Sequence, residues 1–264
     1  MIKTIKSISL ILLVFFLHSC SIDDDNTITA EIDSRDYRIA QAIEYDLSYD
    51  VIRTTDFTYD GEGKLIRLKL INPDVFPPTE RLEVVFNYDQ GLLVSAVVDD
   101  SPIFLYDYNN EGLVSSVSYI DIFGNPGEKT YVYAPDGSSY TITENGCETI
   151  FNLDDSNNIT NLIVDESCNF LLETNSEFSY DSNKNPYYHL LPEAWVFFLD
   201  RGLSAQIGSN NTVSLVSNGE VIASNTEYEY NDMGYPIKYK FDNFYLGESV
   251  WSVNHEIIYE AVEL

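Results

Sequence analysis

Apolar and polar positions alternate with a period of two over short runs of the chain, and each run ends in a polar turn. In Phe57-Thr58-Tyr59-Asp60, two aromatic residues two positions apart are followed by an acid, and Gly63 comes three residues later. Residues at i and i+2 lie on one face of a β-strand, while Asp, Asn and Gly favour the backbone conformations of tight turns. The pattern predicts a strand, a turn and a second strand.

This unit recurs along the chain. Copies occupy residues 57–65, 86–93, 106–114, 131–137, 151–159, 178–187 and 228–237. A lone hairpin is unstable in water, so successive hairpins are expected to stack side by side. We expect an all-β fold, a curved antiparallel meander of seven or eight hairpins that stays open or closes into a sandwich or barrel.

The unit resembles the YD repeat of the RHS family, Tyr-Asp-x-x-Gly-x-Leu, which Tyr59-Asp60 with Gly63 and Leu65 matches. Over residues 45–241 the chain resembles the short YD-repeat-like surface lipoproteins of Bacteroidetes-type bacteria. Ala134 and Leu153 depart from the repeat, where it has an acid and a Tyr. The resemblance implies a scaffold and no particular reaction.

Residues 188–227 interrupt the repeat. The apolar segment around Pro192 predicts a short helix starting after Leu191, because Pro is tolerated in a first helical turn. Strands at 213–216 and 221–222 are expected around an Asn218-Gly219 turn, and residues 237–241 and 249–259 are the expected closing strands.

The N-terminus has the features of an export signal. Lys3 and Lys6 precede an apolar run at residues 8–17, which is too short to span a bilayer. The segment Leu17-His18-Ser19-Cys20 resembles the lipobox of bacterial lipoproteins, in which the Cys is lipidated after cleavage; the alternative is an ordinary signal with a chance Cys. We expect a signal peptide at 1–19, a lipidated Cys20 with an acidic tether at 20–35, and a single all-β repeat domain at 36–264.

An acidic run at residues 21–26 follows Cys20 and resembles the surface-export signal of Bacteroidetes-type lipoproteins. We therefore expect a lipid anchor in the outer membrane and a domain facing the cell exterior. A solvated linker and display toward the periplasm are the open alternatives.

The charge of the chain restricts its partners. The sequence contains 14 Lys and Arg against 43 Asp and Glu, which gives a net charge of -29. Nucleic acids and anionic lipid surfaces bind clustered basic residues, so neither is an expected partner. The 44% hydrophobic and 14% aromatic content indicates a folded protein.

Cysteine usage fits an exported protein. Lipidation of Cys20 leaves Cys147 and Cys168 in an oxidising compartment. We expect these two to form a disulfide that joins the ends of one hairpin; two buried free thiols are the alternative.

No catalytic constellation is evident. The chain has no Gly-rich phosphate loop, no Gly-x-Ser-x-Gly elbow and no Cys-x-x-Cys pair. The expected mature chain has two histidines, His189 and His255, without the spacing of a zinc site, and the Asp-rich segments at 154–158 and 181–185 fit ordinary turns better than calcium loops. We therefore expect no metal, no cofactor and no enzymatic activity, with a glycoside hydrolase using paired carboxylates as the alternative.

Aromatic residues concentrate in and near the interruption of the repeat. They are Tyr187, Tyr188, Trp195, Phe197, Phe198 and Trp251. Exposed aromatic rings stack on sugars, so these residues are the candidate ligand surface of a scaffold that binds an extracellular glycan or protein; the alternative is that they cap the sheet as core.

Overall fold

A computed structural model describes residues 37–72, 81–99, 103–120, 124–164, 168, 175–191, 194, 197, 208–217, 219–245 and 247–262. All of them fall within one compact unit, Asp33–Leu264. The predicted signal peptide, Cys20, Trp195 and Phe198 lie outside the described residues.

Sixteen β-strands make up most of the described chain. They are β1 (Tyr37–Tyr45), β2 (Val51–Tyr59), β3 (Leu65–Ile71), β4 (Arg81–Asp89), β5 (Leu92–Val98), β6 (Ile103–Tyr108), β7 (Val114–Ile120), β8 (Pro126–Tyr133), β9 (Ser139–Glu144), β10 (Cys147–Leu153), β11 (Ile159–Val164), β12 (Asn175–Lys184), β13 (Asn210–Ser217), β14 (Glu220–Tyr230), β15 (Pro236–Tyr245) and β16 (Glu248–Ala261).

Each strand pairs antiparallel with its neighbours in sequence, and the first strand pairs with the last. The contact between β1 and β16 runs from Tyr37 opposite Ala261 to Tyr45 opposite Asn254, so the sheet closes into a barrel. The predicted all-β meander is confirmed, and a closed barrel is the form that it takes.

The barrel has two distinct ends. The turns that follow even-numbered strands, at residues 60–64, 90–91, 109–113, 134–138, 154–158 and 231–235, gather at one end, which we call the repeat rim. The chain enters β1 at this same end, because Tyr37 pairs with Ala261. The turns that follow odd-numbered strands form the opposite rim.

The repeated Asp or Asn closes four of the described turns at the repeat rim. The Oδ1 atom of Asp60 accepts hydrogen bonds from the backbone N–H groups of Glu62 and Lys64, both 2.9 Å long. Asn109, Asp154 and Asn231 bind two backbone N–H groups in the same way, and Gly63 has the positive φ of 85° that this turn requires.

The repeated tyrosine joins neighbouring strands. The Tyr88 hydroxyl on β4 donates to the carbonyl oxygen of Leu65 on β3, at 2.7 Å. Equivalent bonds run from Tyr59 to Ile39, Tyr108 to Leu93, Tyr180 to Ile159 and Tyr259 to Pro236. We call these five bonds the tyrosine ladder.

Apolar side chains fill most of the barrel, and its outer face carries charged and amide side chains together with exposed apolar ones such as Leu105 and Val132. On β4, the inward side chains of Val84 and Phe86 are buried, and the outward side chain of Asn87 is exposed. Outward side chains pair with each other, as Arg67 does with Glu83 at 2.9 Å and Asn87 with Ser95 at 3.0 Å.

The described residues between β12 and β13 lie inside the barrel. They start with a short helix, α1 (Pro186–Leu190), which the sequence did not predict; most of the helix predicted after Leu191 falls outside the described residues. Asn185 caps this helix, since its Oδ1 accepts from the Tyr187 N–H at 3.0 Å, and Pro186 occupies the first turn. Among the described residues, no helix is long and apolar enough to cross a membrane.

Residues of this segment complete the core. Tyr187, Leu191, Ala194 and Phe197 are buried, and the Phe197 ring meets that of Phe86 edge to face, with centroids 5.1 Å apart. A barrel of sixteen strands has a wide lumen, and these side chains occupy part of it. The described residues 185–191, 194 and 197 therefore form an internal plug.

The predicted disulfide is present. Cys147 begins β10 and bonds to Cys168, which follows β11, with their Cα atoms 5.5 Å apart. Cys168 is buried in the core, so the bond ties the segment after β11 to the barrel wall.

Candidate binding site

A cavity of about 240 Å³ interrupts the apolar interior beneath β1, β2 and β14 to β16. We call it the polar pocket. Its floor is formed by Asn185, Pro186 and Tyr187 of the plug, and its walls by Glu44, Arg53, Asn225, Tyr228, Tyr239, Phe241, Trp251 and His255. Trp251, 48% exposed, lies at the mouth, at the opposite rim.

Strand register brings the two charged residues of the pocket together. Glu44 near the end of β1 is directly opposite Arg53 near the start of β2. The Nη1 of Arg53 donates to Oε1 of Glu44 at 3.2 Å. Both side chains project inward because they continue the alternation set by the buried Phe57 on β2 and the packed Ala42 on β1.

Three buried polar atoms at the pocket have no hydrogen-bond partner in the described part of the chain. They are Oε2 of Glu44, Nε of Arg53 and Oδ1 of Asn225. Asn225 is only 5% exposed, and its Nδ2 already donates to the carbonyl of Thr212 at 2.8 Å. Buried polar groups normally have partners, so these three atoms mark a place for a polar ligand.

Burial and the pair of charges set the ionisation of the pocket. Burial raises the pKa of the Glu44 carboxyl, against the opposing effect of the Arg53 guanidinium. Burial, together with the Arg53 charge, lowers the pKa of His255 to about 4. At neutral pH the pocket therefore contains a neutral imidazole beside a cationic guanidinium.

Aromatic rings form the remaining walls. The rings of Tyr228 and Tyr239 stack with centroids 5.2 Å apart, and Phe241 meets Trp251 at the mouth at 5.6 Å. Aromatic faces beside a few fixed polar atoms are typical of small-molecule sites. The pocket offers acceptors, one donor and apolar faces within a single cavity.

The structure separates the aromatic residues that the sequence grouped together. Trp251 lies at the mouth of the polar pocket and Tyr187 in its floor. Phe197 is buried in the core, as the alternative interpretation stated. Tyr188 is half-buried and lines another cavity, where its hydroxyl accepts from Nδ2 of Asn157 at 3.4 Å.

Sequence reasoning missed Glu44, Arg53 and Asn225 as site residues. A signal was available, because Glu44 and Arg53 occupy inward positions of strands whose other inward residues are largely apolar. His255, which lacks the spacing of a zinc site, stacks on Tyr239 and also lines the pocket.

The Asp-rich segments use their oxygens within the fold. Oδ1 of Asp154 accepts from the N–H groups of Ser156 and Asn158, and Oδ1 of Asp181 accepts from those of Asn183 and Asn211. Turn closure and strand cross-linking thus account for these acids. In the described ranges, no three acidic, His or Cys side chains are grouped as metal ligands.

Comparison with known proteins supports the architecture. No family model and no curated protein matches the chain. Among solved structures it is similar to a porin-like protein from Bacteroides uniformis, with 13% sequence identity and a TM-score of 0.51, over 84% of this chain and 98% of that one. At this identity the likeness concerns the fold alone.

Proposed function

We propose that this protein is a lipid-anchored, YD-repeat-like lipoprotein of the outer membrane, whose barrel faces the cell exterior and binds the end of an extracellular glycan without catalysis. The observation that carries the binding proposal is the polar pocket, where three unpartnered polar atoms lie among aromatic walls. Sugar hydroxyls both donate and accept hydrogen bonds, so one ring can serve the Glu44 and Asn225 acceptors and the Arg53 donor together.

Pocket size and position define which part of a glycan fits. A cavity of about 240 Å³ lies below the usual range of drug-sized sites, so a single terminal sugar is the matching group. The Trp251 ring at the mouth stacks on this sugar or on the next one.

Binding without hydrolysis is the better match to the residues present. Glycosidases require two carboxyl groups about 5 to 9 Å apart. Among the described residues that line the polar pocket, Glu44 is the sole carboxylate. The pocket therefore supports a binding protein over the alternative hydrolase.

The outer-membrane location rests on the N-terminal sequence and is compatible with the barrel. The segment Leu17-His18-Ser19-Cys20 supplies the anchor, and three acyl chains hold a protein stably where a single chain does not. The outer face bears charged and amide side chains such as Arg67, Glu83 and Asn87.

Binding is tested with residues 27–264, which include all sixteen strands, on a glycan array, followed by calorimetry with the best ligand. Trp251→Ala is expected to weaken binding at least about tenfold while leaving the melting temperature nearly unchanged, since the ring is half exposed. Arg53→Lys removes Nε but keeps the charge, and Arg67→Lys on the outer face is its matched control. Equal affinity of the Arg53→Lys and Arg67→Lys variants would refute the pocket as the site.

Anchoring is tested separately. Cys20→Ser is expected to abolish metabolic palmitate labelling and to release the protein from the membrane fraction. Antibody labelling of intact cells distinguishes display toward the exterior from display toward the periplasm.

A further inference from the structure

A second and larger cavity opens at the repeat rim, between β7 and β11. Its volume is about 870 Å³, and its walls include Tyr131, Tyr133, Tyr140, Leu153 and Tyr188. We call it the tyrosine cleft. It is far larger than the polar pocket, and the residues that line the two cavities are all different.

The cleft coincides with the two departures from the repeat. Leu153 at the end of β10 occupies the position that Tyr59, Tyr88 and Tyr108 hold in their units. Those tyrosines reach a neighbouring carbonyl oxygen and form the tyrosine ladder. A leucine side chain is shorter and has no hydroxyl, so the ladder is interrupted here. Ala134, which replaces the acid of the preceding unit, also lines the cleft.

A buried hydrogen-bonding group also lies at the cleft. The Tyr140 hydroxyl is buried and has no hydrogen-bond partner among the described residues, and the residue is 4% exposed. Its ring is fixed by stacking on Phe151, with centroids 4.7 Å apart and planes 9° apart. An apolar ligand would leave this hydroxyl without a partner, whereas a hydroxylated ligand would bind it.

The remaining lining combines ring faces with neutral polar groups. The Tyr133 ring lies 5.9 Å from that of Tyr140, and Asn109, Asn157 and Ser139 surround the mouth. Glu111 is the sole charged residue among the described residues that line the cleft. With this carboxylate and a net charge of -29 on the chain, an anionic ligand is disfavoured.

We propose that the tyrosine cleft is a second binding site, which takes a neutral oligosaccharide chain of several units. Tyrosine faces stack on the C–H faces of successive rings, and the amide and hydroxyl groups bind the sugar hydroxyls. The cleft reaches the upper part of the volume range of ligand sites, about 300 to 1,000 Å³, and opens at the rim, so a chain can enter it. This site is independent of the polar pocket and of the function proposed for it.

The experiment uses the full-length lipoprotein in a detergent without sugar groups, titrated in a calorimeter with maltohexaose, cellohexaose and mannohexaose. At least one of the three is expected to bind. Tyr188→Ala is expected to weaken that binding at least about tenfold, because the ring is half-buried at the edge of the cleft. Tyr49→Ala is the control, since Tyr49 is 74% exposed at the opposite rim and its loss should leave affinity unchanged.

The sharpest variant is Leu153→Tyr, which restores the repeat. It is expected to fill the cleft, to keep or raise the melting temperature, and to reduce oligosaccharide binding at least about tenfold. Retained binding in a folded Leu153→Tyr variant overturns the proposal, as does the absence of binding with all three probes. If Leu153→Tyr fails to fold, the proposal is judged on Tyr188→Ala and Tyr133→Ala. Retained oligosaccharide binding in both of these folded variants overturns it.

Failure of this site is distinguishable from failure of the polar pocket. Trp251→Ala is expected to leave hexasaccharide binding unchanged, because Trp251 does not line the cleft. Loss of hexasaccharide binding in Trp251→Ala but not in Tyr188→Ala would place the ligand in the polar pocket and overturn the second site.

Discussion

The imidazole ring of His255 stacks on the phenol ring of Tyr239, with centroids 4.4 Å apart and planes 6° from parallel. Both rings face the polar pocket from adjacent strands, where Tyr239 is directly opposite His255. In this stack the imidazole is buried beside the Arg53 guanidinium. Burial and the nearby positive charge lower the pKa of His255 to about 4. The pocket is therefore built around a neutral histidine, which makes stability sensitive to acid.

The free energy of unfolding is expected to include a term that falls as the pH drops from 6.5 to 4. Between these values the unfolded chain protonates His255, whose ordinary pKa is 6.5, and the folded protein does not. The term is therefore present above pH 6.5 and lost by pH 4, and a shift of this size corresponds to at most about 3 kcal/mol. Glu44 acts in the opposite sense, because its pKa is raised.

His255→Phe tests this term, since it keeps an aromatic ring and removes the titration. Urea unfolding of wild type and variant is measured at several pH values from 4 to 7.5, and Tyr49→Phe serves as control because Tyr49 is 74% exposed. The stability of wild type relative to His255→Phe should decrease toward pH 4. A difference that does not change with pH would contradict the assignment.

A second prediction concerns the tyrosine ladder. Tyr88→Phe removes the hydroxyl that donates to the Leu65 carbonyl at 2.7 Å and leaves the ring in place. A net loss of about 1 kcal/mol in the free energy of unfolding is expected, since the partly buried carbonyl loses a partner. Tyr49→Phe, at an exposed turn, should have no effect. Equal midpoints for the two variants in urea would show that the ladder contributes nothing.

A third prediction concerns the turn acids. Asp60→Ala removes the oxygen that accepts from the N–H groups of Glu62 and Lys64, and a cost of roughly 1 to 2 kcal/mol is expected by analogy with helix N-caps. Asp60→Asn keeps that oxygen, as Asn109 and Asn231 do in their own turns. It should therefore unfold at nearly the wild-type urea midpoint. If Asn behaves like Ala, the charge of Asp60 and not its geometry is what matters.

The disulfide supplies a fourth prediction. Cys147 and Cys168 are 21 positions apart in sequence, and closure of the loop between them stabilises the fold by roughly 3 kcal/mol in the chain-entropy model. When the unreduced protein is treated with an alkylating agent, its intact mass should show no alkyl group on Cys147 or Cys168, because both sulfurs are in the bond. Reduction should lower the thermal midpoint of unfolding. Equal midpoints in the two states would argue that the bond is dispensable.

The fifth prediction separates core from ligand surface. Phe197→Ala is expected to cost about 3 to 5 kcal/mol, because the buried ring packs against Phe86 and Phe104 and its removal leaves a cavity. Thermal unfolding of this variant is compared with that of Trp251→Ala, which should melt close to wild type. A Phe197→Ala variant of normal stability would return Phe197 to the list of candidate binding residues.

Local patterns carried most of the information about the wall of the barrel. The period of two, with Asp or Asn and Gly at each turn, predicted hairpins such as β4 with β5 and β6 with β7, because alternation and turn conformation depend on neighbouring residues alone. The disulfide followed from Cys147 and Cys168 flanking one predicted hairpin. The lipid anchor at Cys20 stays a prediction.

The interior was decided by tertiary structure. Closure requires the last strand to meet the first, as Tyr45 does with Asn254, and this depends on the summed twist and register of sixteen strands. The burial of Phe197 and Tyr187 follows from the wide lumen that closure creates, which no local pattern specifies. Glu44 and Arg53 line one cavity because β1 and β2 place them face to face in that lumen. The sequence thus determined the repeated hairpin and its turns, whose energetics are local, while the pocket, the plug and the cleft depend on contacts between residues far apart in the chain.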